Sequence, residues 1–247
     1  MKMKTALITG ANKSIGYEAA RQLIEKGYYV YLGSRDQQKG QQAVDQLTSE
    51  GFNNVEPLVI DVDNPASIKA ARETLGQKIS VLDVLINNAG IHGTMPQTSL
   101  DADSSVFRHV FDTNFFGIID TTQAFIDLLR QSPEPRIVNV TSGLGSLTLH
   151  SDPAWKYYQV KPTAYATSKA ALNAYTIMLA YDLRDTAFKV NAVDPGYTAT
   201  DFNNHSGPGT VPDAAARLVK AATLGTDGPT GQFFSDDNNP DTGISPW

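Results

Sequence analysis

The sequence predicts an α/β chain: one doubly wound parallel sheet of about seven strands, with helices on both faces. Three observations predict it. Short apolar, β-branched runs alternate with stretches of helical pattern, as βαβ units around a parallel sheet require. The first run leads at once into a glycine turn, Gly10 to Gly16, and then into a helix. No repeat, low-complexity block or linker divides the 247 residues, so a single domain, 1–247, is expected.

The elements follow in order. The apolar run 5–9 opens the sheet, and the glycine turn delivers the chain into helix 15–26. Strand 29–33 ends at Ser34-Arg35-Asp36 and precedes helix 37–51; strand 55–61 precedes helix 65–77. Strand 81–87 ends in Asn87-Asn88-Ala89-Gly90, and a long apolar helical pattern spans 104–129. Strand 136–141 leads to Ser142, helix 163–184 follows, and strand 189–194 runs into Pro195-Gly196. Helix 212–224 and strand 231–234 close the pattern. Two stretches, 143–162 and 198–211, resist it; both follow strand ends, where loops frame ligand sites in such sheets. The tail, 235–247, is acidic and turn-rich, either tied down by Trp247 or mobile.

Composition excludes several function classes. An apolar fraction of 41% and an aromatic fraction of 9% support a full core rather than disorder. A net charge of −6 argues against nucleic-acid binding, which needs a basic face. With no cysteine there is no disulfide, no thiolate chemistry and no zinc–thiolate site, and no metal is expected. No apolar run reaches the roughly 18 residues of a membrane span. Met1-Lys2-Met3-Lys4 leads into a strand with no apolar signal core, so a cytoplasmic location is expected.

Chemistry concentrates in Tyr165-Ala166-Thr167-Ser168-Lys169. Tyr165 and Lys169 lie one helical turn apart and share a face. A phenol, with an ordinary pKa of about 10, is a poor acid at neutral pH; an adjacent ammonium favours the phenolate. Such a pair is a tunable proton donor, although Tyr-x-x-x-Lys pairs also occur on exposed helix faces. At the other end of the chain, Gly10 allows a tight turn and Gly16 a close helix–sheet approach, and the following helix N-terminus offers free N–H groups to a pyrophosphate. Where an acidic residue ending the second strand would bind the ribose and repel a 2′-phosphate, this chain has Arg35. Lys13 is a second cation in reach, while Asp36 either caps the next helix or touches a ribose.

Taken together, Thr9-Gly10-Ala11-Asn12-Lys13-Ser14-Ile15-Gly16, Asn87-Asn88-Ala89-Gly90, Asn114, Ser142, Tyr165 to Lys169 and Pro195-Gly196 resemble the short-chain dehydrogenase/reductase family, in its single-domain Rossmann-type branch and closest to the carbonyl reductases. The resemblance runs from Lys4 to about Phe234. It implies a catalytic set of Asn114, Ser142, Tyr165 and Lys169. Tyr165 is then the general acid in reduction; Lys169 tunes it and binds the nicotinamide ribose; Ser142 holds the carbonyl oxygen; Asn114 positions a relay water. It further implies cofactor contacts from Gly10, Asn12, Lys13, Ser14, Ile15, Gly16, Arg35, Asp61, Val62, Asn87, Ala89, Gly90, Tyr165, Lys169, Pro195, Gly196 and Thr198. Asn88 is left to backbone support, and Ser14 replaces a usual glycine, as a helix cap or phosphate ligand.

Ser142 and Tyr165 lie further apart than compact family members place them, which reads as an insertion at 147–162 over the site's mouth. His150 within it reads as a surface residue, and Thr141, Ser146 and Thr148 rival Ser142. His92, Met95, Leu144 and Phe202 are candidates for the pocket, with 198–211 as the substrate loop. The implied activity is NADP(H)-favouring reduction of a small ketone or aldehyde, with NAD(H) possible. An NAD-dependent alcohol dehydrogenase and a non-catalytic nucleotide sensor are the competing readings. Association as a dimer or tetramer is expected through helices 104–129 and 163–184.

Overall fold

The computed structural model describes residues 3–247; Met1-Lys2, part of the chain start discussed above, lies outside them. Seven strands form one sheet: β1 (Thr5–Ile8), β2 (Tyr29–Ser34), β3 (Val55–Val59), β4 (Val84–Asn87), β5 (Arg136–Val140), β6 (Lys189–Val193) and β7 (Phe233–Phe234). Their order is β3-β2-β1-β4-β5-β6-β7, and every pairing is parallel. The winding reverses between β1 and β4, which opens a ligand crevice at the carboxyl ends of those strands.

The central strands β1, β4 and β5 are buried on both faces because helices cover both, while the edge strand β3 leaves Val59 exposed. In β1, Ala6 and Ile8 face one core together with α1 (Ser14–Glu25), α2 (Gln37–Ser49) and α8 (Val211–Ala222). Leu7, pointing oppositely, joins a second core with α3 (Pro65–Lys78), α5 (Gly117–Leu129) and α7 (Thr163–Asp182). Leu7, Leu85 and Phe125 are fully buried there; each such side chain contributes roughly 1.5–3 kcal/mol relative to exposure. Side-chain caps start several of the helices. Asp36 accepts from the Lys39 N–H at α2, Asn64 from Ala66 at α3, and Asp103 from Ser105 at α4 (Ser104–Phe111).

Two elements differ from expectation. The pattern 104–129 is interrupted: α4 and α5 flank a π-helical turn, Asp112–Phe116. An extra residue per turn displaces the side chains there, and the buried Asn114 lies inside it. Strand β7 is only two residues long; Gly231, at φ +69°, lies two residues before it and donates to the Val190 carbonyl of β6 at 2.7 Å. The tail then folds back on β7, with Phe234 bridging Ile244 and Trp247 stacking on Phe233 at 5.5 Å. Among the described residues no helix is long and apolar enough to cross a membrane, and no cluster of metal-ligating side chains occurs.

Candidate active site and cofactor crevice

The turn between β1 and α1 is shaped by its glycines. Gly10 has φ +61°, a conformation that only glycine adopts freely. A Cβ on Gly16 would lie 2.6 Å from Asn88 Nδ2 and 2.7 Å from the Gly10 carbonyl. Asn88 donates through that nitrogen to the carbonyls of Thr9 and Gly10, so it braces the turn, as expected. Lys13 occupies the cap position of α1 without a side-chain cap bond, leaving the first-turn N–H groups to a ligand.

The structure corrects the expectation for Ser14. It is not the cap; it is the first helical residue and sits at φ +52°. A serine there stores backbone strain that glycine would relieve. Asp36 is spent on capping α2, which resolves its two readings in favour of the cap. Arg35 is exposed and forms no ion pair among the described residues. Lys13 pairs instead with Asp201 at 2.9 Å.

Asn87 also differs from expectation. Its side chain is buried and turned away from the glycine turn, donating to Thr122 Oγ1 at 3.1 Å and Asn139 Oδ1 at 2.9 Å. A side-chain contact from Asn87 to cofactor therefore has no support; the amide knits β4, β5 and α5 together. Ala89 and Gly90 follow it along the crevice, and the Thr9 hydroxyl accepts from the Ala89 N–H. Asp61 and Val62 follow β3, and the Val62 carbonyl lies where a Gly117 Cβ would clash at 2.6 Å. After β6, Gly196 takes φ +81°, and the buried Thr198 hydroxyl donates to the Pro195 and Gly196 carbonyls.

The four expected catalytic residues converge from three elements. Asn114 Oδ1 accepts from the Ile91 N–H at 2.8 Å, while Nδ2 donates to the Ile91 carbonyl and to Ser168 Oγ. That clamp ties the π turn to the segment after β4 and to α7. A Cβ on Gly90 would lie 3.3 Å from Asn114 Oδ1 and 3.6 Å from Lys169 Nζ, so both polar atoms border one small space. Lys169 Nζ donates to the Val140 carbonyl at 2.8 Å and lies 5.8 Å from the Tyr165 ring centroid. Burial pushes the Lys169 ammonium down to about 8. Burial raises the Tyr165 phenol, the facing Ser142 hydroxyl lowers it, and the Asp194 charge raises it. The phenol therefore stands above its ordinary value, against the lowering expected from Lys169.

Among the rival hydroxyls, Thr141 is buried against the Lys169 carbonyl and Ser146 donates to the Pro246 carbonyl. Thr148 is exposed on the short helix α6 (Leu147–His150), and its N–H donates to the Trp247 carbonyl. Ser142, whose oxygen accepts from the Leu144 N–H at 3.2 Å, is the hydroxyl left facing Tyr165.

Of the pocket candidates, His92 stacks on Tyr165 at 5.1 Å, and Phe202 packs on Tyr165 at 5.6 Å and edge-on to His92 at 5.8 Å. Leu144 sits in the turn after Ser142, and Met95 is largely exposed. His150 is half-buried rather than superficial. Its Nε2–H donates to the Leu144 carbonyl at 2.9 Å, its Nδ1 accepts from Lys161, and burial lowers its pKa. It pins the 147–162 segment beneath the Ser142 turn.

Three residues here escaped sequence reasoning. Buried Gln97 accepts from the Tyr165 N–H at 3.0 Å and donates to the His92 carbonyl at 2.7 Å, holding the two rings together. Ser168 bridges Asn114 and the Tyr165 carbonyl. Asp194, buried, accepts from the Gly196 N–H and the Ser235 hydroxyl, joining the turn after β6 to the tail. A lone glutamine in a loop carries no sequence signal; Ser168, inside the Tyr-x-x-Ser-Lys run, did.

Known proteins resemble this chain along most of its length. The short chain dehydrogenase family model matches residues 4–210. The (+)-neomenthol dehydrogenase of Capsicum annuum is 33% identical, over 93% of this chain and 94% of that protein. The structure of salutaridine reductase from Papaver somniferum is 29% identical, covers 93% of this chain and 99% of that one, and superposes with a TM-score of 0.81. An NADPH-bound carbonyl reductase from chicken fatty liver is 26% identical over the full length of both chains, with a TM-score of 0.84.

Proposed function

The chain belongs to the short chain dehydrogenase family, and we propose that it is an NADP(H)-favouring carbonyl reductase acting on ketones or aldehydes within one domain that carries both cofactor and substrate sites. The observation that carries this reading is the convergence of Ser142, Tyr165, Lys169 and Asn114 on one small space beside the glycine turn.

The crevice suits a nicotinamide dinucleotide. A pyrophosphate fits the uncapped start of α1, where Gly16 leaves no room for a side chain. Lys13 and Arg35 flank the place of a 2′-phosphate, and Asp36 is engaged elsewhere. Gly10, Asn12, Ser14 and Ile15 line the pyrophosphate side, Asp61 and Val62 the adenine side, and Ala89, Gly90, Pro195, Gly196 and Thr198 the nicotinamide side. When bound, the nicotinamide supplies the hydride.

The side chains then handle the proton. Ser142 donates to the carbonyl oxygen and Tyr165 Oη delivers its proton there as the oxygen becomes an alkoxide, a step worth about 10²–10⁴-fold. A phenol raised by burial stays protonated at neutral pH, the state that reduction needs. Lys169 holds the ribose and stabilises the phenolate left behind; Asn114 Oδ1, on the same space, carries the relay that reprotonates it. His92 and Phe202 make an aromatic wall on Tyr165 that suits an aryl or alkyl body. The exposed apolar Phe116, Met178 and Tyr181, on the π turn and α7, support a dimer through these helices; light scattering measures it.

Oxidation of NADPH and NADH, followed by absorbance against aryl ketones, keto esters and aldehydes, tests the reading. Carbonyl-dependent turnover with NADPH well above NADH is expected. Equal or faster turnover with NADH overturns the cofactor assignment, and none with either overturns the reductase assignment.

A further inference from the structure

Lys13, a cofactor-site cation, is joined across the crevice to the loop after β6. Lys13 Nζ lies 2.9 Å from Asp201 Oδ2, although 188 positions separate the two residues. Asp201 is held on its other oxygen by His205 Nε2 at 3.0 Å. The loop is braced within itself: Thr200 and Asn203 cap each other, and Asn203 Nδ2 donates to the Thr198 carbonyl at 2.9 Å. It is also strained, because Asn204 and His205 both take left-handed backbone, at φ 53° and 57°. The residue next to Asp201 is Phe202, whose ring packs on Tyr165 and His92. One carboxylate therefore fastens the segment that walls the substrate pocket to the turn that receives the cofactor.

We propose that Asp201 competes with the cofactor's 2′-phosphate for Lys13, so that NADPH unlatches the loop carrying Phe202 while NADH leaves it fastened. The proposal deepens the reading of Lys13 as a phosphate ligand and rests on it. A phosphate carries more charge than a carboxylate and three acceptor oxygens, so it displaces Asp201 from a shared ammonium. Both partners are largely exposed, at 62% and 47% of the side chain, so the competition is modest: an exposed pair changes an affinity by about two- to five-fold. His205 remains as partner for the released carboxylate. Asp201 is then a specificity residue that lowers NADPH affinity in exchange for cofactor-dependent control of the pocket wall.

The test is a fluorescence titration of NADPH and of NADH with the parent, Asp201→Asn, Lys13→Ala and the double variant. Asp201→Asn is expected to tighten NADPH about two- to five-fold and to leave NADH nearly unchanged. In the Lys13→Ala background the same substitution should have no effect on NADPH. Weaker NADPH binding, equal tightening of both cofactors, or undiminished tightening without Lys13 overturns the proposal; the last two outcomes would reduce Asp201 to a general negative charge. If Lys13→Ala leaves NADPH affinity intact, the phosphate assignment itself fails, and the latch with it. If Lys13→Ala loses NADPH affinity but Asp201→Asn changes nothing, only the latch fails.

Discussion

Replacing Lys169 with methionine should make the nucleotide-free protein more stable while removing its activity. Burial holds this ammonium at about 8 against its usual 10.5. A difference of that size corresponds to about 3 kcal/mol of stability lost wherever Lys169 is charged in the fold. The variant also orphans the Val140 carbonyl, which costs on the order of 1 kcal/mol. The net expectation at pH 7 is a gain of roughly 2 kcal/mol. The pH dependence follows from the direction of the shift. Between about 8 and 10.5 the unfolded chain still binds the proton that the fold has released, so the parent gains stability as pH rises through that window. Methionine has no proton to bind, so its advantage is present below pH 8 and disappears by about pH 10.5. Urea unfolding of both proteins at pH 7, 9 and 10.5, followed by circular dichroism, measures the difference; groups common to both cancel. A variant less stable than the parent at pH 7, or a difference that does not change with pH, refutes the idea that function here is held at the expense of stability.

Other substitutions probe separate parts of the account. Ser14→Gly should raise stability by about 1 kcal/mol, because it removes the left-handed serine at φ +52°; thermal unfolding reports it, and a destabilised variant would mean the serine hydroxyl does more than fill space. Arg35→Asp should move cofactor preference toward NADH by about tenfold or more in the kcat/KM ratio, since it replaces the cation proposed to face the 2′-phosphate with a repelling carboxylate; an unchanged ratio counts against Arg35. Gln97→Ala should cut kcat/KM by about tenfold through loss of its bonds to Tyr165 and His92, with cofactor affinity unchanged. Stability should fall as pH drops below about 6.5, where the unfolded chain protonates His150 but the fold resists; His150→Gln should flatten that limb in a pH series of unfolding curves.

Much of the fold was legible because its signals are local. Apolar strand runs and helical stretches alternate cleanly, and the glycine turn marks where the first strand meets its helix; the strand order itself came only from the structure. The candidate catalytic residues were legible as a cluster for a related reason: Tyr165 and Lys169 share one helix, and Ser142 follows one strand. What escaped depends on contacts distant in sequence or on backbone angles. The π turn at Asp112–Phe116 arises where Asn114 is pulled onto Ile91, and nothing in the helical pattern shows such a pull. The inward turn of Asn87 is decided by Thr122 and Asn139, 35 and 52 positions away. Gln97 gains its place only because helix α7 starts beside it. The Lys13–Asp201 pair joins opposite ends of the chain. Trp247 docks because Phe233 offers a ring to stack on, which decides between the two readings of the tail.

In the proposed reaction Tyr165 gives the proton, while the glycine turn at the start of α1 receives the cofactor's pyrophosphate. The most direct test compares Tyr165→Phe with the parent in two assays on the same preparation: carbonyl-dependent NADPH oxidation and NADPH binding by fluorescence. Turnover should fall by about 10²–10⁴-fold, with binding preserved within a factor of about three. Turnover within tenfold of the parent, with binding intact, would contradict it and assign the proton to another group.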